Sequence, residues 1–260
     1  MKVYKSSIKN WGYLLYRLIS EIMDPIKLIT GIYGYIWFMF DLIKYKFRKG
    51  SEPMRLMDLY PRLHDKTPTT SIDGHYYYQQ LWLFGKVLKN NPKEHADIGS
   101  SYQMSGYLSK IVPTTFIDYR PIEVKLDNLK IRRDDLLKLS LKSNSLESIS
   151  CLHVIEHVGL GRYGDKLDPR GSLKAANELK RVLKKNGKLY ISVPIGKNRL
   201  CFNAHRIFTT DNVIKMFKPL KLVSFSVVDD DGKYFENVKP EYYDKLNYGC
   251  GMFEFKKLTE

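Results

Sequence analysis

Cysteine is scarce in this 260-residue chain: Cys151, Cys201 and Cys250 lie far apart and form no CxxC pair. That excludes a zinc site of the paired-cysteine kind, and an odd, sparse set fits a reducing compartment. The first twenty residues, "MKVYKSSIKNWGYLLYRLIS", lack a secretory apolar core followed by a small-residue cleavage site, so a cytoplasmic location is expected. There is no internal repeat and no low-complexity tract. Acidic residues are in deficit: 28 Asp and Glu against 43 Lys and Arg leave a formal charge of +15. Such an excess suits an anionic partner, whether nucleic acid, an acidic lipid surface or a phosphorylated substrate. The basic residues are spread along the chain rather than gathered in a stripe, which argues against a nucleic-acid groove.

No apolar run reaches the roughly 20 residues that a membrane-spanning helix needs. The longest, "LITGIYGYIWFMFDLI" at residues 28–43, carries Asp41 near its end and is followed by Lys44, Lys46, Arg48 and Lys49. Its Tyr, Trp and Phe suit the headgroup boundary, and the basic cluster suits anionic lipid. Residues 28–49 are therefore expected to act as a peripheral anchor on the inner membrane face, with burial against the main domain or in a dimer as the alternative. Residues 1–72 read as a helical and irregular extension. Residues 73–260 read as the main domain with its leading helix, "SIDGHYYYQQLWLFGKVLKNN", capped by Ser71 or Asp73 and closed at Asn90-Asn91-Pro92. Most of the aromatics in "HYYYQ" suit packing, although their polar tips could line a pocket.

From about residue 94 short strands alternate with helices. "HADIG", "TFIDYR", "NLKIRRDD", "LESISCLHVI" and "GKLYISVPI" read as strands, with "SYQMSGYLSKIV", "LKAANELKRVLKKN" and "TTDNVIKMFKPL" as helices. That alternation predicts an α/β fold with a mostly parallel sheet covered on both faces, and "KLVSFSVVDD" and "GCGMFEFKKL" as an antiparallel edge. Ligands in such sheets bind beyond the carboxyl ends of the strands. The first strand ends in Asp97-Ile98-Gly99, and the second in Asp118, about twenty residues on, the spacing of a ribose-binding carboxylate. The third ends in Asp134-Asp135, and the fourth runs into "LHVIEH". Four polar strand ends in chain order point to an adenosine-type ligand.

The run "RRDDLLKLSLKSNSLESISCLHVIEH" followed by "ELKRVLKKNGKLYISVP" resembles the class I S-adenosylmethionine-dependent methyltransferases. Leu139, Leu141, Ser145, Glu156-His157, Arg181-Val182-Leu183, Gly187 and Pro194 carry the resemblance, which covers about residues 94–230. "CLHVIEHVGLGRYGDKLDP", "CFNAHRIF", "NYGCG", "LHDKT" and "HYYYQ" are similar to a little-characterised branch often encoded among bacterial surface-polysaccharide genes. The resemblance implies a Rossmann-like sandwich that binds S-adenosyl-L-methionine. It places Asp97 and Gly99 at the first turn, near the methionine moiety. Asp118 then binds the ribose, Asp135 the adenine amino group, Leu136 packs on the ring, and Cys151, Leu152 and His153 form the floor. The usual second glycine of that turn is Ser101 here, which narrows the approach of the backbone to a ligand.

A hydroxyl acceptor must lose its proton, and histidine titrates in the useful range. His157, just past the fourth strand, and His205, after the fifth, are the candidate bases, with Glu156 beside His157. The polar insert "GLGRYGDKLDPRGS" could close over the site or bind the acceptor, and Arg162, Tyr163, Arg170 and Arg206 are candidate substrate-binding residues for an anionic sugar or nucleotide-sugar. The same arginines could instead pair with Asp165 and Asp168 in a rigid loop. No metal is expected; a set of His157, Asp165, Asp168 and His205 is the conceivable exception. The expected function is O-methylation of a sugar or glycan precursor. A catalytically silent scaffold and an RNA or protein methyltransferase stand as alternatives.

Overall fold

The computed structural model describes residues 8–259. The chain divides into two compact units, parting between Ser71 and Ile72.

The first unit holds two helices, α1 (Ile8–Ser20) and α2 (Pro25–Lys46). Asp24 caps α2, accepting from the amides of Ile26 at 3.0 Å and Lys27 at 3.2 Å, and Pro25 sits in the first turn, where no amide donor is needed. The helix runs past the apolar segment at both ends. Its 22 residues span about 33 Å, comparable to a bilayer's hydrocarbon core of about 30 Å. Length therefore does not exclude a span. The acid in the run is paired: Lys66 reaches Asp41 at 3.0 Å and lies 4.5 Å from the centre of the Trp37 ring. Of the residues of α2 only Gly34 is buried, and Ile29, Ile32, Tyr33, Ile36 and Phe40 are exposed.

The second unit opens with α3 (Gly74–Asn90). Asp73 caps it through the Tyr76 amide, and Asn91 closes it in the left-handed conformation, φ 43°. Then come β1 (His95–Ile98), α4 (Tyr102–Leu108), β2 (Thr114–Asp118), β3 (Leu129–Arg133) and β4 (Leu146–Leu152). They are followed by α5 (Gly171–Val182), β5 (Leu183–Ile195), a hairpin of β6 (Arg199–Cys201) and β7 (His205–Ile207), and α6 (Thr210–Met216). The chain finishes with β8 (Lys221–Val228), β9 (Tyr234–Phe235) and β10 (Gly249–Lys256). The sheet order is β3-β2-β1-β4-β5-β10-β8-β9. The first five of these positions are parallel, β10 enters antiparallel between β5 and β8, and the two-residue β9 forms the antiparallel edge.

Alternation along the strands sorts side chains onto two covered faces. Leu189, Ile191 and Val193 of β5 and Phe253 and Phe255 of β10 pack with Ala175, Leu179 and Phe217 from the α5–α6 side. Tyr190, Leu152, Cys250 and Met252 pack on the other face with Trp82, Leu83 and Met104 of α3 and α4. That second face also buries polar groups. Glu254 of β10 accepts from Lys188 at 2.7 Å, Ser224 at 2.9 Å and Lys86 at 3.0 Å. Ser192 donates to Gln79. α5 ends four residues sooner than its amphipathic pattern suggests, because Leu183 pairs with Leu146 and starts β5.

Candidate functional site

The strand ends of the second unit surround a cavity of 540 Å³. Gly99 and Ser100 follow β1; Asp118 and Tyr119 end β2; Asp134 to Leu137 follow β3; His153, Val154, His157 and Val158 follow β4. Tyr163 to Lys166 of the polar insert complete the wall. Asp118 takes the Arg120 amide at 2.6 Å on one carboxylate oxygen, and Asp135 takes the Leu137 amide at 2.8 Å. Both are turns in which an aspartate bonds the backbone two residues on, which sets the carboxylates at the rim. Gly99 has φ +66°, and a Cβ there would stand 3.1 Å from Val154, so the bare backbone is what keeps this part of the wall open.

Three of the expected cofactor residues lie elsewhere. The Asp97 carboxyl is fully buried behind the turn, where Ser105 and Ser150 each donate to it at 2.6 Å; burial raises its pKa, with these hydroxyls opposing. It ties β1 to β4 and α4 rather than facing the cavity. Ser101 stands before α4 and donates to Gln103 at 2.6 Å, outside the cavity lining, so its side chain does not narrow the cradle. Cys151 is completely buried in the α5–α6 face, because strand alternation turns it away from the ligand side, and burial raises its thiol pKa. Gly99, Asp118, Asp135, Leu136 and His153 do line the cavity.

A second cavity, of 440 Å³, adjoins the first and shares His153 and His157 with it. The start of α3 contributes Asp73, His75 and Tyr76; the insert contributes Arg162; the β6–β7 hairpin contributes Ala204 and His205; Tyr248 comes from just before β10. Rings dominate its walls. His75 stacks on Tyr248 at 5.1 Å, Tyr76 on His153 at 5.6 Å, and His205 lies 5.1 Å from Tyr248. The His157 ring donates from Nδ1 to the Ala204 carbonyl at 2.6 Å, which leaves Nε2 as the acceptor nitrogen. Burial is the largest influence on both His157 and His205 and lowers their pKa values, so both are neutral at pH 7.

Glu156 is buried beneath these rings. Its Oε1 bonds His153 Nδ1 at 2.9 Å and lies 3.6 Å from His157 Nε2, and its Oε2 has no partner among the described residues. Glu156 lines neither cavity, so it positions the two histidines instead of meeting a substrate. His153 has φ +52°, a left-handed conformation unusual for a non-glycine residue and typical of functional sites. Burial presses its pKa down, but Cys250 and Glu156 outweigh that and raise it to about 10.

The polar insert is built as a fixed loop. Asp165 accepts from the Gly159 amide at 2.6 Å and the Tyr163 amide at 3.3 Å, and Asp168 pairs with Lys174. Arg206 spends its guanidinium on this loop, donating to the Val158 carbonyl at 2.7 Å and Ser172 Oγ at 3.0 Å. It is therefore a structural clamp, contrary to its expected substrate role. Arg170 precedes α5 and lines neither cavity; its amide donates to Asp168. Arg162 remains at the second cavity, over the face of Tyr163, which lines the first. The residues that sequence reasoning left without a role are His75, Tyr248 and Cys250. Their only signal was membership in "HYYYQ" and "NYGCG", at opposite ends of the domain.

Comparison with known structures agrees with the topology. NodS, an N-methyltransferase from Bradyrhizobium japonicum determined with S-adenosyl-L-homocysteine, superposes at TM-score 0.50 and 13% identity, covering 76% of this chain and 91% of its own. A proposed sarcosine dimethylglycine methyltransferase from Galdieria sulphuraria gives TM-score 0.52 at 15% identity over 70% of this chain and 86% of its own. The fold is that of the class I methyltransferases. At such identities the likeness concerns the fold alone. A family model described as "Caenorhabditis protein of unknown function, DUF268" matches residues 130–241. Uncharacterized protein MJ0638 of Methanocaldococcus jannaschii is 30% identical over 145 residues, 54% of this chain. The aligned region spans 57% of that relative.

Proposed function

We propose that this chain transfers a methyl group from S-adenosyl-L-methionine to a hydroxyl of a sugar or glycan precursor. The observation that carries the reading is the pair of adjoining cavities with His153 and His157 in their common wall. The first has the features an adenosyl ligand needs: open backbone at Gly99, Asp118 for the ribose hydroxyls, Asp135 for the adenine amino group and Leu136 against the ring. When bound, the sulfonium supplies a methyl carbon already activated for displacement. The protein's share is then alignment, exclusion of water and removal of one proton.

The second cavity suits a polyhydroxylated acceptor. The rings of Tyr76 and Tyr248 offer flat apolar faces with polar tips, and Arg162 can hold a phosphate or carboxylate on the acceptor. His205, neutral at pH 7 and on the cavity wall, takes the hydroxyl proton as the oxygen attacks; His157, held by the Ala204 carbonyl, keeps the wall in place.

Titration calorimetry tests the first half. Wild-type protein is expected to bind S-adenosyl-L-methionine, and Asp118→Ala to bind it about 10- to 100-fold more weakly, the worth of charge-assisted hydrogen bonds to a diol. Absence of heat from folded wild-type protein at millimolar ligand would favour a silent scaffold.

We also propose that α2 holds the protein at an anionic membrane surface. Its exposed apolar residues and the basic residues Lys44, Lys46, Arg48 and Lys49 support this. Removal of residues 1–50 is expected to release the protein from phosphatidylglycerol-containing vesicles in a flotation assay. Undiminished flotation of the shortened chain would remove α2 from the account.

A further inference from the structure

The protein has a cluster of ligand-type side chains to which the methyl-transfer reading gives no chemical step. His75 from α3, His153 from the end of β4 and Cys250 from β10 converge from three separate elements. One donor atom from each lies within 4.8 Å of the other two. We infer that His75, His153 and Cys250 form a zinc site whose fourth position opens into the second cavity.

The closest pair already stands near coordination distance. His153 Nε2 and Cys250 Sγ are 3.3 Å apart. Tetrahedral zinc, with Zn–N about 2.0 Å and Zn–S about 2.3 Å, places nitrogen and sulfur about 3.5 Å apart. His75 is half-buried at the cavity wall and has room to move onto a metal.

His153 is also anchored in the way a metal ligand usually is. His153 binds Glu156 Oε1 through Nδ1 at 2.9 Å, which turns Nε2 toward Cys250. His75 is held by stacking on the Tyr248 ring, with centroids 5.1 Å apart. A carboxylate or carbonyl behind a ligating imidazole fixes its tautomer and increases its basicity. Glu156, behind His153, is completely buried, and its Oε2 has no partner among the described residues. An unpaired buried oxygen is costly, and a cation beside it would reduce that cost.

Three protein ligands and one open position are the arrangement of a reactive zinc rather than a purely structural one. The open position faces Tyr76, Arg162 and His205 across the second cavity. There it would take water or an acceptor hydroxyl and make its proton easier to remove. This role rests on the methyl-transfer reading; the metal site does not.

The experiment measures metal in the purified full-length chain. After exposure to zinc and desalting, wild-type protein is expected to retain about one zinc per chain. Cobalt(II) in its place is expected to give a thiolate-to-cobalt charge-transfer band. Cys250→Ser should lose the band and the zinc, whereas Cys201→Ser, outside the cluster, should keep both. Because Cys250 is buried, His75→Ala provides a second variant at a less constrained position, expected to lose zinc with an unchanged circular dichroism spectrum. Glu156→Gln should weaken zinc roughly 10- to 100-fold while retaining the cobalt band. Folded wild-type protein that holds no zinc and gives no thiolate–cobalt band would overturn the inference. Binding of S-adenosyl-L-methionine by such a protein would leave the methyl-transfer reading standing; zinc retained without such binding would do the reverse.

Discussion

Acidification from pH 7 to pH 4 is expected to remove about 3 kcal/mol of stability through His95 alone. The side chain is completely buried in β1, and burial pushes its pKa down from 6.5 to about 3. Ser150 donates its hydroxyl proton to Asp97, so its oxygen must accept from His95 Nε2, at 2.9 Å; Nδ1 then accepts from Ser148 at 2.8 Å. The neutral ring thus satisfies both nitrogens, and a second proton would leave Nδ1–H facing a hydroxyl that is itself donating. Between pH 6.5 and pH 3 the unfolded chain binds a proton at this position and the folded chain does not. The stabilisation is therefore complete above pH 6.5 and is lost as the pH falls toward 3. Urea unfolding of wild-type protein and His95→Leu across this range isolates the effect. The variant has a fixed cost from two hydroxyls short of a partner, but its stability should fall less steeply with acid. Parallel pH curves would show that His95 is not the proton acceptor. Asp97 works in the opposite direction, since its raised pKa makes ionisation costly in the fold, and the comparison holds it constant.

Gly99→Val is expected to abolish measurable binding of S-adenosyl-L-methionine while the protein still folds. Two effects act at this residue. At φ +66° a β-branched side chain costs about 1–3 kcal/mol of backbone strain. The new Cβ also stands 3.1 Å from one Val154 methyl and 3.2 Å from the other, so it must be relieved by movement of the cavity wall. The added methyl groups occupy the space that the bare backbone leaves for a ligand. Gly99→Ala should fall between wild type and Gly99→Val in both affinity and melting temperature. Wild-type affinity in Gly99→Val would mean that the ligand does not approach this turn, and the cavity would need another occupant.

Much of the main domain was legible before any coordinates. The caps at Asp73 and Asn91, and the strand–helix alternation from residue 94, are local features, set by side chains that bond their own backbone or alternate along a strand. The site was legible in part, because strand order makes the ends of β1 to β4 neighbours whatever fills the sheet. What misled were side-chain directions. Asp97 and Cys151 occupy the expected chain positions but point into the core, and Arg206 turns back onto the loop carbonyls of Val158 and Asp168. α2 also runs longer than its apolar segment, since a helix ends at its caps and not where hydrophobicity fades.

By itself the sequence determined a positively charged α/β chain with acids at successive strand ends and an aromatic helix before them. Only the tertiary structure decided that His75 and Cys250, 175 positions apart, bring their donor atoms together with His153. Strand order can be inferred from local pattern and connection length. The convergence of three distant side chains depends on β10 entering between β5 and β8, and on how α3 packs over that face, which no short-range pattern encodes.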